Sequence, residues 1–215
     1  MMKKFILPAI LLLGVAFSSF AQDQDKEKEE INKHVLKSQE LLEKGKYRES
    51  ASEMQEAINL INDIIGAQIL ESLPETINDL ESSTAEDQTT SLGSLMGAGI
   101  TVTRNYHNEK GEVIMVTITP NSPQLNMVET FLANPDDYKD ASHIGEAIKV
   151  GKRDAMLKFD DSNEVTFGFL QMPLGNTLIT MRGDRIESPE SMVKFAASFD
   201  YKALGKALGV VVAEE

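Results

Sequence analysis

The chain has 215 residues, with Lys+Arg 21 against Asp+Glu 34, a net charge of -13, 41% hydrophobic residues and neither Cys nor Trp. It is long enough for one large domain or two small ones, and apolar enough to bury a core. The acidic balance argues against a nucleic-acid binder, which needs a basic face. With no Cys there is no disulfide framework, thiolate metal site or cysteine nucleophile.

Residues 1–21 read as an export signal. Lys3 and Lys4 precede an apolar run from Phe5 to Phe17, and Ser19 and Ala21 form a small-x-small cleavage site before Gln22. The run is shorter than the roughly 20 residues that span a bilayer. No Cys stands at the cut, so the expectation is an exported periplasmic or extracellular protein, not a lipoprotein, with no transmembrane segment after cleavage. Loss of Lys3 and Lys4 leaves 19 basic and 34 acidic residues, or -15, an acidic surface that favours solubility.

Residues 22–80 predict a helical hairpin. Ile31, Val35, Ser38 and Leu42 share one helical face. Gly45 can take the left-handed conformation that ends a helix. Tyr47, Ala51, Met54, Ile58, Ile61 and Ile65 then step by four, three, four, three, four, which predicts a second amphipathic helix packed antiparallel to the first. Leu73-Pro74 ends the helical region.

Over residues 33–65 this hairpin resembles a single tetratricopeptide-type repeat. Gly45, Tyr47, Met54 and Ala57 match that motif in order and spacing, and Ser50 stands where Ala is usual. No second copy is visible. Such repeats stack because one pair cannot bury its faces alone. The resemblance therefore implies docking on the rest of the chain, on a partner, or on a second copy, and Tyr47, Met54, Ile58, Ile61 and Ile65 are the candidate partner surface.

Residues 81–99, rich in Ser, Thr and Gly with no clear period, read as a flexible linker. From Ile100 the period becomes two. Ile100–Tyr106 and Val113–Thr119 predict strands joined by a turn over His107–Gly111. Ser122 as N-cap and Pro123 at the first helical position predict a helix buried through Leu125, Val128, Phe131 and Leu132. Ala147–Val150, Ala155–Phe159, Val165–Gln171 and Thr177–Arg182 are four further strands, separated by turn residues too few for parallel crossovers. Ser188-Pro189 opens another helix, with Met192, Phe195, Ala196 and Phe199 apolar. Tyr201–Leu208 is a last short helix, and 209–215 are expected to fray. The predicted fold is α+β: an N-terminal helical hairpin, then over residues 100–215 an antiparallel sheet covered by at least two helices.

Chemistry-bearing candidates are few. His34, His107 and His143 are not at metal-ligand spacing and read as solvent-facing. Asp160-Asp161-Ser162-Asn163-Glu164, between two strands, reads as turn chemistry rather than a calcium loop. Asp136, Asp137 and Asp140 read the same way. Gly93, Gly97 and Gly99 precede a strand and lack a Lys, the wrong order for a phosphate loop. Arg182-Gly183-Asp184 is an ordinary turn tripeptide, and no G-x-S-x-G elbow occurs. No catalytic, cofactor-binding or metal residue is assigned, and no cofactor is expected. The function expected is a non-enzymatic binding or assembly module of the bacterial envelope, acting through a protein partner or self-association. The alternative is a carrier of a small apolar ligand, in a cavity between sheet and helices lined by Phe131, Phe159, Phe167, Phe169 and Phe195. A carboxylate-dependent hydrolase is the second alternative.

Overall fold

A computed structural model describes residues 16–90, 99–138, 145–162 and 164–212, with side chains from Asp25 onward. The chain forms two compact units, one ending at Ile61 and the other starting at Asn62. No helix among the described residues is long and apolar enough to cross a membrane.

The first unit is the helical hairpin. Helix α1 (Ala16–Glu43) and the first half of α2 (Tyr47–Ser72) are joined at Gly45, whose φ is +73°. The Gly45 and Lys46 N–H groups donate back to the carbonyls of Leu42 and Leu41, at 3.0 and 2.9 Å. These bonds satisfy the last-turn carbonyls and need a residue that tolerates the left-handed region. Across the hairpin, Ser38 Oγ donates to the Ser50 carbonyl at 2.9 Å and lies 3.0 Å from Ser50 Oγ, and both serines are buried. Ser50 therefore has a partner that the usual Ala could not engage. His34 is not solvent-facing, as its pattern suggested. Its Nδ1 lies 2.7 Å from Glu53 Oε2, and Lys37 also reaches Glu53. Hydrogen bonds first from Lys37 and then from His34 hold the Glu53 carboxyl below its usual range.

The second unit is built on an antiparallel sheet of nine strands among the described residues. In chain order these are β1 (Thr76–Ile77), β2 (Leu80–Ser82), β3 (Gln88–Thr90), β4 (Thr101–His107), β5 (Val113–Pro120), β6 (Glu146–Val150), β7 (Arg153–Asp160), β8 (Phe167–Leu174) and β9 (Thr177–Asp184). Across the sheet the order is β1-β2-β4-β5-β9-β8-β7-β6, and β3 also pairs with β4. A two-residue loop, Gly175-Asn176, closes the β8–β9 hairpin at the pair Leu174↔Thr177. Pro173 thus lies within β8, past the last registered pair with β7, Met156↔Gln171, where its missing N–H removes no bond to that strand.

The period of two sends alternate residues to opposite faces. One face carries Val102, Arg104 and Tyr106 of β4, Ile114, Val116 and Ile118 of β5, and Leu170, Met172, Ile179 and Met181 of β8 and β9, all buried. Ile69 and Leu73 at the end of α2, helix α4 (Pro189–Ala197) and helix α5 (Tyr201–Leu208) complete this core. Each fully buried aliphatic side chain here contributes about 1.5–3 kcal/mol. Ser188 caps α4 by accepting from the Ser191 N–H at 3.3 Å, with Pro189 in the first turn, as the sequence predicted. Asp200 caps α5 by accepting from the Lys202 and Ala203 N–H groups. Over the other face lies α3 (Leu125–Ala133), whose Val128 and Phe131 bury against Met156 and Leu178, with Tyr138 packed beside them.

Three further expectations differ from what is observed. Residues 81–90 are not linker. They form most of β2, a 3-10 turn at Thr84–Glu86, and β3, pinned to β4 by pairing and by Asp87, which accepts from the buried Arg104. Such two- and three-residue strands carry no readable period. The rest of the expected linker, residues 91–98 with Gly93 and Gly97, lies outside the described residues. Ser122 and Pro123 do not open α3. Asn121 sits at φ +53° and is tied to Asn176 through backbone and side chain, so Ser122–Gln124 complete a turn and the helix begins at Leu125. The tail does not fray at once: Gly209 takes the left-handed cap of α5, and Val210 and Val212 pack against the core.

Candidate functional site

The half-covered face is the place where this sheet leaves chemistry accessible. Strand register arranges its side chains in rows. Lys158 of β7, Phe169 of β8, Arg182 of β9, Met115 of β5 and Asn105 of β4 are successive cross-strand partners. The neighbouring row runs Asp160, Phe167, Asp184, Val113, His107. Directly opposed side chains in such a sheet are about 5 Å apart and interact. Phe167 and Phe169 lie nearly parallel, with centroids 6.3 Å apart, and both are only partly buried. The Arg182 guanidinium sits over Phe167 at 5.2 Å, and its Nη2 is 3.6 Å from Asp184.

Between α3 and these strands runs a groove of about 450 Å³ lined by Met127, Val128, Phe131, Tyr138, Met156, Lys158, Phe167, Phe169 and Gln171. It is apolar because α3 is too short to cover both aromatic residues of β8. Met127, on the helix side facing the groove, is 59% exposed. Phe131 and Tyr138 form one wall, their rings 5.5 Å apart. Two polar groups reach in. Gln171 is 2% exposed and donates from Nε2 to Gln124 Oε1 at 3.3 Å, and Lys158 stands beside Phe169. The size falls within the range of about 300–1,000 Å³ usual for small-molecule sites.

The five phenylalanines expected to line one cavity are divided between the two faces. Phe131, Phe167 and Phe169 line the groove. Phe195 is buried on α4, in edge contact with Tyr106 at 5.3 Å, and Phe159 packs against the same core while also lining, with Phe131, a depression of about 680 Å³ beside Gly145–Ala147. Of the residues named as a partner surface, Met54, Ile58 and Ile61 are 39%, 43% and 42% exposed and Tyr47 is 70% exposed. Ile65, in the second unit, packs against the sheet core.

A second, polar depression of about 440 Å³ lies at the other end of this face, lined by residues that include Ser83, Glu86, Asn105, His107 and Arg182. Ser83 Oγ and His107 Nδ1 are 3.2 Å apart. Glu86, the nearby acid, accepts instead from Asn105 Nδ2 at 3.3 Å, so the imidazole is not oriented as a nucleophile's base requires. Asp160 caps its own turn, accepting from the Ser162 N–H at 3.0 Å. His143 and Asn163 lie outside the described residues. No group of three or more His, Asp or Glu among the described residues could hold a metal ion.

Arg104 and Tyr106 are fixed on the packed face. Arg104 donates to Asp87 and to the Leu73 carbonyl, and Tyr106 Oη donates to the Pro74 carbonyl at 2.8 Å. Burial pushes the Tyr106 phenol up to about 12, and the hydrogen bond with Asp87 raises the Arg104 guanidinium.

No protein-family model and no curated protein matches this chain. Among solved structures it is similar to the extracellular domain of PknH from Mycobacterium tuberculosis, at 8% identity and a TM-score of 0.34, over 67% of this chain and 90% of that one.

Proposed function

We propose that this chain is an exported, non-enzymatic binding module that takes a small apolar ligand in the groove between α3 and strands β7–β8. One observation carries the reading. The packed face of the sheet is filled, whereas Phe167, Phe169 and Met127 are left partly or largely exposed around a space of ligand size. Large apolar groups gathered at one concave place gain free energy when something dry covers them. Export is supported by Lys3, Lys4, the apolar run to Phe17 and the Ser19/Ala21 site.

The test is fluorescence of the neutral probe N-phenyl-1-naphthylamine with the purified protein. Enhancement that saturates, and is lost in Phe169→Asp with melting behaviour retained, supports the groove. A flat titration, or enhancement indifferent to Phe169→Asp, overturns it. N-terminal sequencing of the exported protein should begin at Gln22.

A second reading rests on α2. Met54, Ile58 and Ile61 form an exposed apolar stripe on a single repeat-like hairpin, and such hairpins are stable through stacking. Self-association through this stripe predicts that Ile58→Glu shifts a concentration-dependent sedimentation profile to monomer.

A further inference from the structure

We infer that the ligand of the groove is a free, single-chain amphiphile with an anionic head, a fatty-acid-like carboxylate, whose head is held at Lys158 and whose tail lies along Phe167, Phe169 and Met127. The inference rests on the groove being a ligand site and adds the charge of what it takes. The charge pattern of the face carries it. Lys158 and Arg182 are the register partners of Phe169 on its two sides, with the Arg182 guanidinium turned over Phe167. Asp160 and Asp184 bracket Phe167 in the same way, one row along.

The two acids of that row are already engaged. Asp184 faces Arg182 at 3.6 Å, and Asp160 takes the Ser162 N–H and hydroxyl. Lys158 lines the groove and makes no salt bridge among the described residues, although its charge is felt by Asp160. In a chain of net charge -13, an ammonium with no salt bridge beside an aromatic wall is a place where an anion is favoured over a neutral or cationic group. The lysine stem can lie on the apolar wall while its head stays at the rim, within reach of a carboxylate. Arg182, on the far side of Phe169 and shared with Asp184, adds a weaker attraction.

The experiment is displacement of N-phenyl-1-naphthylamine from the whole protein by decanoate, decanol and decyltrimethylammonium, three ligands alike in tail and different in head. Decanoate should displace the probe at concentrations about two- to fivefold lower than decanol, the range of one partly exposed charge pair, with the cationic amphiphile weakest. Lys158→Gln should bring decanoate and decanol together when each is read against the probe affinity measured for that variant, and Lys158→Arg should keep the preference. Equal competition by decanoate and decanol in the unaltered protein, or a preference that survives Lys158→Gln, overturns the anionic-head inference and leaves the groove standing. Failure of the probe itself to bind removes the groove reading and this inference with it. Sedimentation with phosphatidylglycerol vesicles, without competition by free decanoate, would assign the cations to a membrane surface and overturn the free ligand.

Discussion

Gly168 and Gly183 face each other across β8 and β9, and Met192 of α4 occupies the space their side chains would need. A Cβ at Gly168 would stand 2.8 Å from Met192 Cγ. One at Gly183 would stand 2.7 Å from Met192 Sδ and 2.4 Å from Ile186 Cγ1. The glycine pair therefore sets how closely α4 sits on the sheet. Gly183→Ala should destabilise the protein by about 1–3 kcal/mol through overpacking. Adding Met192→Ala should recover part of the Gly168→Ala loss and less of the Gly183→Ala loss, because Ile186 still crowds the latter. Denaturant melts of the single and double variants check this.

Asp87 and Arg104 hold β3 and its preceding turn to the sheet. Arg104 is 5% exposed and has two partners, Asp87 and the Leu73 carbonyl. Removing the carboxylate alone strands a buried cation, so Asp87→Ala should cost about 3–5 kcal/mol. The double change Asp87→Leu with Arg104→Met should be far milder than either single change, as urea midpoints at constant m-value would show.

Tyr106 makes the fold sensitive to alkali. Its phenol stands near 10 in an unfolded chain and at about 12 here, raised by burial. The folded state holds the proton more tightly, so the contribution is complete below pH 10 and is lost as pH rises towards 12. Stability should fall by about 2–3 kcal/mol across that window. Tyr106→Phe should flatten this part of the profile, at a pH-independent cost of about 1 kcal/mol for the lost bond to Pro74. Chemical melts at pH 9, 10, 11 and 12 read both effects.

Ser38 and Ser50 supply the hairpin's internal check. Ser50→Ala leaves the Ser38 hydroxyl its bond to the residue-50 carbonyl, and should cost well under 1 kcal/mol. Ser38→Ala removes both contacts and should cost about 1 kcal/mol. A double-mutant cycle on the helical transition should give a small positive coupling, and strict additivity would show that the two hydroxyls act independently.

The sequence was most readable where local chemistry and tertiary packing agree. Gly45 marks the hairpin turn, the alternation of Val102, Arg104 and Tyr106 marks β4, and Ser188-Pro189 marks α4. It was unreadable where structure depends on distant partners. Residues 80–90 are ordered by pairing with β4 and by Arg104, neither of which leaves a periodic trace nearby. Ser122-Pro123 looks like Ser188-Pro189, but Asn121 is held by Asn176, 55 residues on. The candidate site was half visible for a similar reason. Alternation tells that Phe167 and Phe169 share a face and Phe159 follows its own strand's pattern, yet it cannot tell which face receives α3 and which receives α4. The cation row around Phe169 follows only from the register, since Lys158, Phe169 and Arg182 come from three strands.

The ends of the sheet bear on how the molecule behaves in a crowd. One end finishes in β1, only two residues long, and the other in β6, where Lys149 is paired with Asp154 at 2.7 Å. A stub and a charged border offer poor templates for strand addition by another chain. Among the described residues, fibrous or edge-to-edge polymerisation is thereby discouraged, and side-chain surfaces offer the better ground for assembly than backbone edges.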